Sequence, residues 1–255
     1  MDNNNKEKFH ENYIEGRNAV LEAFRSGKTI DKLFVLDGSQ DGPIKSITRE
    51  ARKHDAIINY VAKERLDQMS ETGKHQGVIA VSAAYEYAEV SDILENAERK
   101  GEPPFIIILD GIEDPHNLGA IIRTANQAGA HGIIIPKRRA VGLTPTVAKT
   151  SAGAINYTPV AKVTNISNTI KELKEKGMWF VCADMGGTTM YDLNLTGPIG
   201  LVIGNEGDGV SKLVKENCDM TASIPMVGDI DSLNASVATG VLAYEIVRQR
   251  LKSGK

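Results

Sequence analysis

The sequence predicts an α/β protein of two domains, and three observations support this fold class. The chain has 255 residues, more than one domain usually needs when about 150 residues per domain is the guide. Its hydrophobic share is 41% and its charged share is 25%, which is ordinary for a globular chain. Short apolar runs alternate with amphipathic segments, which is typical of strands and helices in packed layers.

The first domain is predicted over residues 13–85 and is expected to be a small α/β layer. Residues 1–12 are polar and are expected to be flexible. A short helix is expected within 13–24, and strands and helices then alternate. The strands are expected at 32–36, 57–61 and 77–82, and the helices at 44–54 and 63–70.

Residues 86–104 are interpreted as a linker between the domains. A short helix runs from Ser91 to Gly101, with a capping serine at its start and a glycine at its end. Pro103 and Pro104 then prevent the helix from continuing.

The second domain is predicted over residues 105–255 as an open parallel sheet covered by helices. The apolar run Phe105–Asp110 suits a strand buried on both faces. Trp179 falls inside a strand pattern and is predicted to lie in the core. Further strands are expected at 132–135, 178–183 and 200–203, and helices at 117–128, 165–176 and 234–252. Ligand sites of such sheets lie beyond the carboxyl ends of the strands.

The composition argues against disulfide-rich, membrane-spanning and secreted proteins. Two cysteines, Cys182 and Cys218, are too few for a disulfide framework and are expected to be reduced, buried thiols. No run approaches the ~18 apolar residues needed to cross a bilayer, and the polar start at 1–6 is not a secretory signal. We therefore expect a cytoplasmic protein. The five histidines are scattered without zinc-ligand spacing, so no metal site is predicted.

The first polar segment at a strand end is Asp110–Gly129. Asn117 is predicted to cap the helix that follows, because asparagine side chains accept backbone N–H groups at helix starts. Arg123 lies on the same helix, about 9 Å further along its axis at ~1.5 Å per residue. From the residues alone, a plain cap and a surface arginine remain open alternatives.

The second and third segments follow later strands. Gly204–Gly209 has the order G-x-x-G-x-G, in which glycines let the backbone approach a ligand closely. A tight structural turn explains this loop equally well, and it is not the dinucleotide fingerprint G-x-G-x-x-G. In the third segment, Ile224–Ala238, either Ser232 or Asn234 is a suitable cap for the last helix.

Together the three segments resemble the SpoU family, also called TrmH, of RNA ribose 2′-O-methyltransferases. The shared pattern is N-x(5)-R, then I-G-N-E-G-x-G, then I-P-M followed by S-L-N-x-S-V-A. Three separated motifs in one order make the resemblance specific. The segments 16–24 and 75–78 resemble the substrate-binding domain of longer members, which include the enzyme that methylates a guanosine in 23S rRNA.

The resemblance implies a fold, a cofactor and a site. The fold is a C-terminal α/β domain of SPOUT type with a parallel sheet and a trefoil knot, preceded by a smaller ribosomal-protein-like α/β domain, and it works as a homodimer. The methyl donor is S-adenosylmethionine and the substrate is RNA. The implied cofactor contacts are Gly204, Ile224, Met226 and Leu233, and the implied catalytic residues are Arg123, Asn117, Glu206, Ser232 and Asn234.

The implied role of Arg123 as a base conflicts with its chemistry, since arginine is effectively always protonated in proteins. As a fixed cation it suits the stabilisation of a developing alkoxide or the binding of a phosphate. Glu206 is then the alternative proton acceptor, or it orients Arg123.

The net charge of -3 does not itself indicate a nucleic-acid partner, although a local cationic groove can occur on a neutral protein. Lys137, Arg138, Arg139 and Lys149 are expected to line the path of the RNA. A solvated loop is the alternative for this cluster.

Three other functions compete with an rRNA methyltransferase. A tRNA ribose 2′-O-methyltransferase shares its chemistry, and a non-catalytic ribosome assembly factor would share its fold. A nucleotide-dependent dehydrogenase is disfavoured because no G-x-G-x-x-G follows Asp110.

Overall fold

The computed structural model describes residues 12–254 and divides into two compact units. The first unit contains residues 12–86 and 142–145, and the second contains 87–141 and 146–254. The N-terminal segment predicted to be flexible lies outside the described residues except for Asn12. None of the helices in the described part of the chain is long and apolar enough to span a membrane.

The first unit is a mixed four-stranded sheet with helices. Its strand order is β1-β4-β2-β3, with β2 and β3 parallel and the other pairs antiparallel. The strands are β1 Tyr13–Glu15, β2 Ile30–Leu36, β3 Ile57–Val61 and β4 Val78–Ser82, and the helices are α1 Arg17–Arg25, α2 Gly42–Lys53 and α3 Lys63–Met69. The helix expected within 13–24 is therefore preceded by an edge strand, and Gly16, with φ 89°, makes the turn between them.

Helix α2 illustrates how the first unit is built. Asp41 caps the helix, because its side chain accepts a hydrogen bond from the Ile44 N–H at 3.1 Å. Ile44, Ile47 and Ala51 form an apolar stripe that packs into the core of the unit. The opposite face of α2 remains exposed.

The second unit contains a six-stranded parallel sheet of order β10-β8-β9-β5-β6-β7. The strands are β5 Phe105–Asp110, β6 Gly132–Pro136, β7 Val160–Val163, β8 Trp179–Thr189, β9 Ile199–Gly204 and β10 Met220–Ser223. The α-helices are α4 Val90–Lys100, α5 Pro115–Gln127, α6 Pro145–Thr150, α7 Ile166–Glu175, α8 Lys212–Asn217 and α9 Ala235–Lys252. The continuous apolar runs form the central strands β5 and β9, which confirms the parallel sheet.

Two sequence interpretations differ from this structure. Helix α4, which lies in the predicted linker, is part of the second unit, because its fully buried Ile93 packs against β6. A Cβ atom added at Gly132 would lie only 2.5 Å from Ile93 Cγ1. Trp179 was expected in the core but is 58% exposed. Strand β10 begins opposite Val181 and leaves Trp179 uncovered on that side.

Candidate active site

The three polar segments converge at the carboxyl ends of parallel strands. Helix α5 follows β5, the glycine-rich loop follows β9, and the third segment joins β10 to α9. A cavity lies at this edge of the sheet. The predicted site residues in its lining are Gly204, Glu206, Ile224, Met226, Ser232 and Leu233.

A cluster of three polar side chains joins the segments next to the cavity. Asn117 Nδ2 donates a hydrogen bond to Glu206 Oε1 at 2.5 Å, and Asn234 Nδ2 donates to the same oxygen at 2.7 Å. Asn234 Nδ2 also lies 3.0 Å from Asn117 Oδ1, which accepts from it. The Glu206 carboxylate is therefore held between α5 and the start of α9.

The prediction that Asn117 caps α5 was wrong. Asp114 caps the helix instead, accepting from the His116 N–H at 2.8 Å, and Pro115 occupies the first helical position. Asn117 therefore lies within the first turn, where its side chain is buried and reaches Glu206.

Asn234 caps α9, which is one of the two caps that the sequence suggested. Its Oδ1 accepts from the Ser236 N–H at 2.9 Å and from the Val237 N–H at 3.4 Å. The same side chain thus fixes the helix start through its oxygen and holds Glu206 through its nitrogen.

The glycine-rich loop is both a tight turn and a wall of the cavity. Asn205 Oδ1 accepts from the Gly207 N–H at 2.9 Å and the Asp208 N–H at 2.6 Å, which closes the turn. A Cβ atom at Gly204 would lie 2.0 Å from the carbonyl carbon of Gly209 and 2.1 Å from the nitrogen of Val210. Only glycine fits at position 204.

Arg123 stands apart from this group. Its side chain is exposed on α5 and does not belong to the cavity lining. It lies six residues beyond Asn117, about 9 Å further along the helix. The structure thus places eight of the nine predicted residues in the lining or in hydrogen-bond contact with it, and Arg123 outside it.

The sequence reasoning missed several acidic residues of the cavity. Asp184, Asp208 and Asp231 line it together with Glu206, and none of the described lining residues is a lysine or arginine. The Lys215 ammonium, 2.8 Å from Asp184 Oδ2, lowers the pKa of the Asp184 carboxyl. Asp184 directly follows the strand predicted at 178–183, so attention to the end of that predicted strand would have found it, although β8 continues to Thr189.

A parallel sheet with a glycine-bordered cavity at the carboxyl ends of its strands defines an α/β ligand-binding domain. The SpoU rRNA Methylase family matches residues 104–244. A second match, described as RNA 2′-O ribose methyltransferase substrate binding, covers residues 13–88. The chain belongs to the SpoU rRNA Methylase family.

Similar proteins span nearly the whole chain. A Bacillus subtilis (strain 168) protein named as a TrmH family tRNA/rRNA methyltransferase, YacO, is 51% identical over 245 residues, which are 95% of this chain and 98% of that one. A TrmH family tRNA/rRNA methyltransferase of Staphylococcus haemolyticus is 47% identical over 94% of this chain and 97% of its own.

Solved structures show the same fold. The SpoU methyltransferase AviRb from Streptomyces viridochromogenes, in complex with the cofactor AdoMet, matches with a TM-score of 0.60 and 26% identity over 94% of this chain and 90% of its own. The A. aeolicus TrmH/SpoU tRNA modifying enzyme matches with a TM-score of 0.55 and 28% identity over 64% of this chain and 86% of its own. The protein has the SPOUT fold and is an S-adenosylmethionine-dependent RNA methyltransferase.

The cavity suits this methyl donor chemically. S-adenosylmethionine has a flat adenine, and its sulfonium and ammonium cations outweigh its single carboxylate, so the molecule is positively charged overall. The acidic side chains around the cavity favour positive charge, and Ile224, Met226 and Leu233 offer apolar contacts to a ring. Gly204 has no side chain, which lets the backbone of Gly209 and Val210 pack against it and so fixes the loop that lines the cavity.

Proposed function

We propose that the protein transfers a methyl group from S-adenosylmethionine to the ribose 2′-hydroxyl of a guanosine in 23S rRNA. The observation that carries the proposal is the cluster of Asn117, Glu206 and Asn234 beside the cavity. The match of residues 13–88 to a substrate-binding domain for ribose 2′-O-methylation supports it.

A tRNA is the second candidate substrate. The Bacillus subtilis relative carries both RNA classes in its name, and a solved structure is named as a tRNA modifying enzyme. That structure corresponds to only 64% of this chain. The additional substrate-binding unit at residues 13–88 therefore favours rRNA over tRNA.

In this proposal Gly204, Ile224, Met226 and Leu233 hold the cofactor, which supplies a methyl group already activated by its sulfonium. The remaining task of the protein is to position the ribose hydroxyl and to ease the loss of its proton. Glu206 is the candidate proton acceptor, because two amide groups fix its carboxylate at the cavity wall. Ser232, also in the lining, orients the ribose.

Arg123 acts in this proposal as a fixed cation. A guanidinium stabilises a developing alkoxide or binds a phosphate oxygen without losing its proton. Because Arg123 is exposed and outside the cavity, it is available to the RNA rather than to the cofactor.

The role of Glu206 can be tested by the Glu206→Gln substitution. The glutamine side chain keeps the size of glutamate but removes its negative charge, so a proton acceptor would be lost. We expect kcat to fall about 100-fold, within the range for general bases. Single-turnover methyl transfer under saturating cofactor measures the rate, and calorimetric titration with S-adenosylmethionine checks that the cofactor still binds. A variant that keeps the wild-type rate would assign the proton to another group.

The path of the RNA is proposed to include Lys137, Arg138, Arg139 and Lys149. Arg138, Arg139 and Lys149 are exposed in the second unit. Long-range attraction by such cations offsets the overall negative charge of the chain.

A homodimer in the cytoplasm completes the proposal. Val237, Tyr244 and Leu251 recur every seven residues on α9, so they share one helix face. They are 50%, 51% and 72% exposed in the single chain, which suits a surface that a second copy covers. Sedimentation equilibrium should give twice the mass of one chain, and a purely monomeric protein would contradict the dimer.

The proposed function is tested by comparing RNA from a wild-type strain and a strain lacking the protein. Mass spectrometry of nuclease digests should show the loss of one ribose-methylated guanosine from 23S rRNA. Loss of a methylated nucleotide from tRNA would assign the second candidate. Unchanged methylation in both RNAs would contradict both candidate substrates.

A further inference from the structure

The first unit has an asymmetric charge distribution. Residues 12–86 contain 11 lysines and arginines and 11 aspartates and glutamates, so the segment is neutral overall. Four of these cations belong to α2, the helix Gly42–Lys53, and its sole acidic residue is Glu50. Helix α2 therefore has three more cations than acids, while the rest of the segment has three more acids than cations.

Three of the cations form a single stripe on α2. Lys45, Arg49 and Arg52 are spaced by four and three residues, so they fall within about 60° of one another around a helix of 3.6 residues per turn. All three are exposed, on the side opposite the buried residues Ile47 and Ala51. The stripe is about 10 Å long at ~1.5 Å per residue.

The stripe is not neutralised by nearby acids. Glu50 lies off the stripe, and its carboxylate is 3.8 Å from Lys53 Nζ and 3.9 Å from His54 Nε2. Within the described residues, no ion pair joins Lys45, Arg49 or Arg52 to a carboxylate. Three fixed cations therefore face solvent along one line.

We propose that Lys45, Arg49 and Arg52 form the surface through which the first unit contacts the phosphates of the substrate RNA. This inference rests on the proposed function and assigns the contact to one helix face. A row of cations at regular spacing matches the repeated negative charge of a nucleic-acid strand. The two arginines can bind phosphate oxygens in a bidentate manner. Such contacts hold the RNA in register without reading its bases.

The experiment compares two triple variants of the full-length protein. The α2 variant carries Lys45→Gln, Arg49→Gln and Arg52→Gln. The control variant carries Lys28→Gln, Lys63→Gln and Arg65→Gln, which remove three exposed cations of the same unit outside α2. Both variants change the net charge equally, and glutamine is a good helix former. Circular dichroism verifies that both fold.

RNA binding is measured with a 23S rRNA transcript and with total tRNA over a series of salt concentrations. We expect the α2 variant to lose affinity about tenfold or more and the slope of log affinity against log salt to decrease by roughly 2, as for three lost phosphate contacts. The control variant should retain the slope of the wild type. Equal losses in both variants, or none in the α2 variant, would overturn the proposal.

A failure of the α2 surface can be distinguished from a failure of the proposed function. Methyl transfer by the wild-type protein reports on the function itself, independently of the variants. Cofactor affinity of the α2 variant should equal that of the wild type, because the cavity lies in the second unit. A wild type that methylates 23S rRNA together with an α2 variant of normal RNA affinity would reject the surface alone.

Discussion

Replacement of Arg123 by alanine is expected to lower kcat for methyl transfer at least about 100-fold while cofactor binding survives. Removing one group that stabilises developing charge typically costs about 100- to 1000-fold in rate. Arg123 is exposed on α5 and lies outside the cavity lining. Its loss should therefore change the affinity for S-adenosylmethionine by less than about threefold. Such a change is smaller than the tenfold change that corresponds to ~1.4 kcal/mol.

Single-turnover methyl transfer and calorimetric titration with S-adenosylmethionine measure the two quantities separately. Arg99→Ala, which removes an exposed arginine from α4 in the same unit, is the matched control and should retain full activity. Arg123→Lys keeps the charge but loses the planar, bidentate geometry. Partial rescue by lysine would indicate a charge effect, and full turnover by Arg123→Ala would exclude the residue from the mechanism.

Individual strands and helices of the second unit could be predicted from the sequence, but the relative positions of Arg123 and the Glu206 cluster could not. The run Phe105–Asp110 predicts a buried parallel strand because no polar position interrupts it, and the structure agrees. A helix after that strand follows from periodicity alone. The distance between side chains on different segments cannot be predicted from periodicity, because it depends on how the strands associate. The hydrogen bonds between Asn117, Glu206 and Asn234 link residues up to 117 positions apart.

The cap of α5 was assigned to the wrong residue because two nearby residues both suit a capping position. Asp114 and Asn117 are both favourable capping residues, and the sequence interpretation chose the later one. Pro115 decides between them, since proline is preferred at the first helical position and so places the cap at 114. The choice matters for the site, because it places Asn117 at the third position of the helix, from which its side chain reaches Glu206.

Two short strands and the chain threading could not be predicted from local sequence patterns. Strands β7 and β10 have four residues each, too few to show an alternating pattern, and they form because neighbouring strands offer hydrogen-bond partners. The knot that the family resemblance implies concerns the path of the chain through one of its own loops. An ordinary doubly wound sheet has the same alternation of strands and helices, so periodicity cannot distinguish the two.

The second large effect is expected at Gly204, where alanine should weaken cofactor binding by up to about 100-fold. The new Cβ would lie 2.0 Å from the Gly209 carbonyl carbon and 2.1 Å from the Val210 nitrogen. Both atoms belong to the backbone, so the glycine-rich loop must open. Overpacking of this kind costs about 1–3 kcal/mol, which corresponds to a loss of affinity of about 5- to 150-fold if the cost falls on the bound state.

Gly228→Ala is the matched control. A Cβ at Gly228 meets nothing within 4 Å, and Gly228 is not part of the cavity lining, so the affinity of this variant for S-adenosylmethionine should stay close to wild type in calorimetric titration. Thermal unfolding shows whether Gly204→Ala still folds. If it does not, Leu233→Asn provides an independent test, since Leu233 lines the cavity but is 38% exposed and contributes little to folding. Wild-type affinity in both Gly204→Ala and Leu233→Asn would show that the cofactor binds elsewhere, because the two substitutions disturb opposite segments of one cavity.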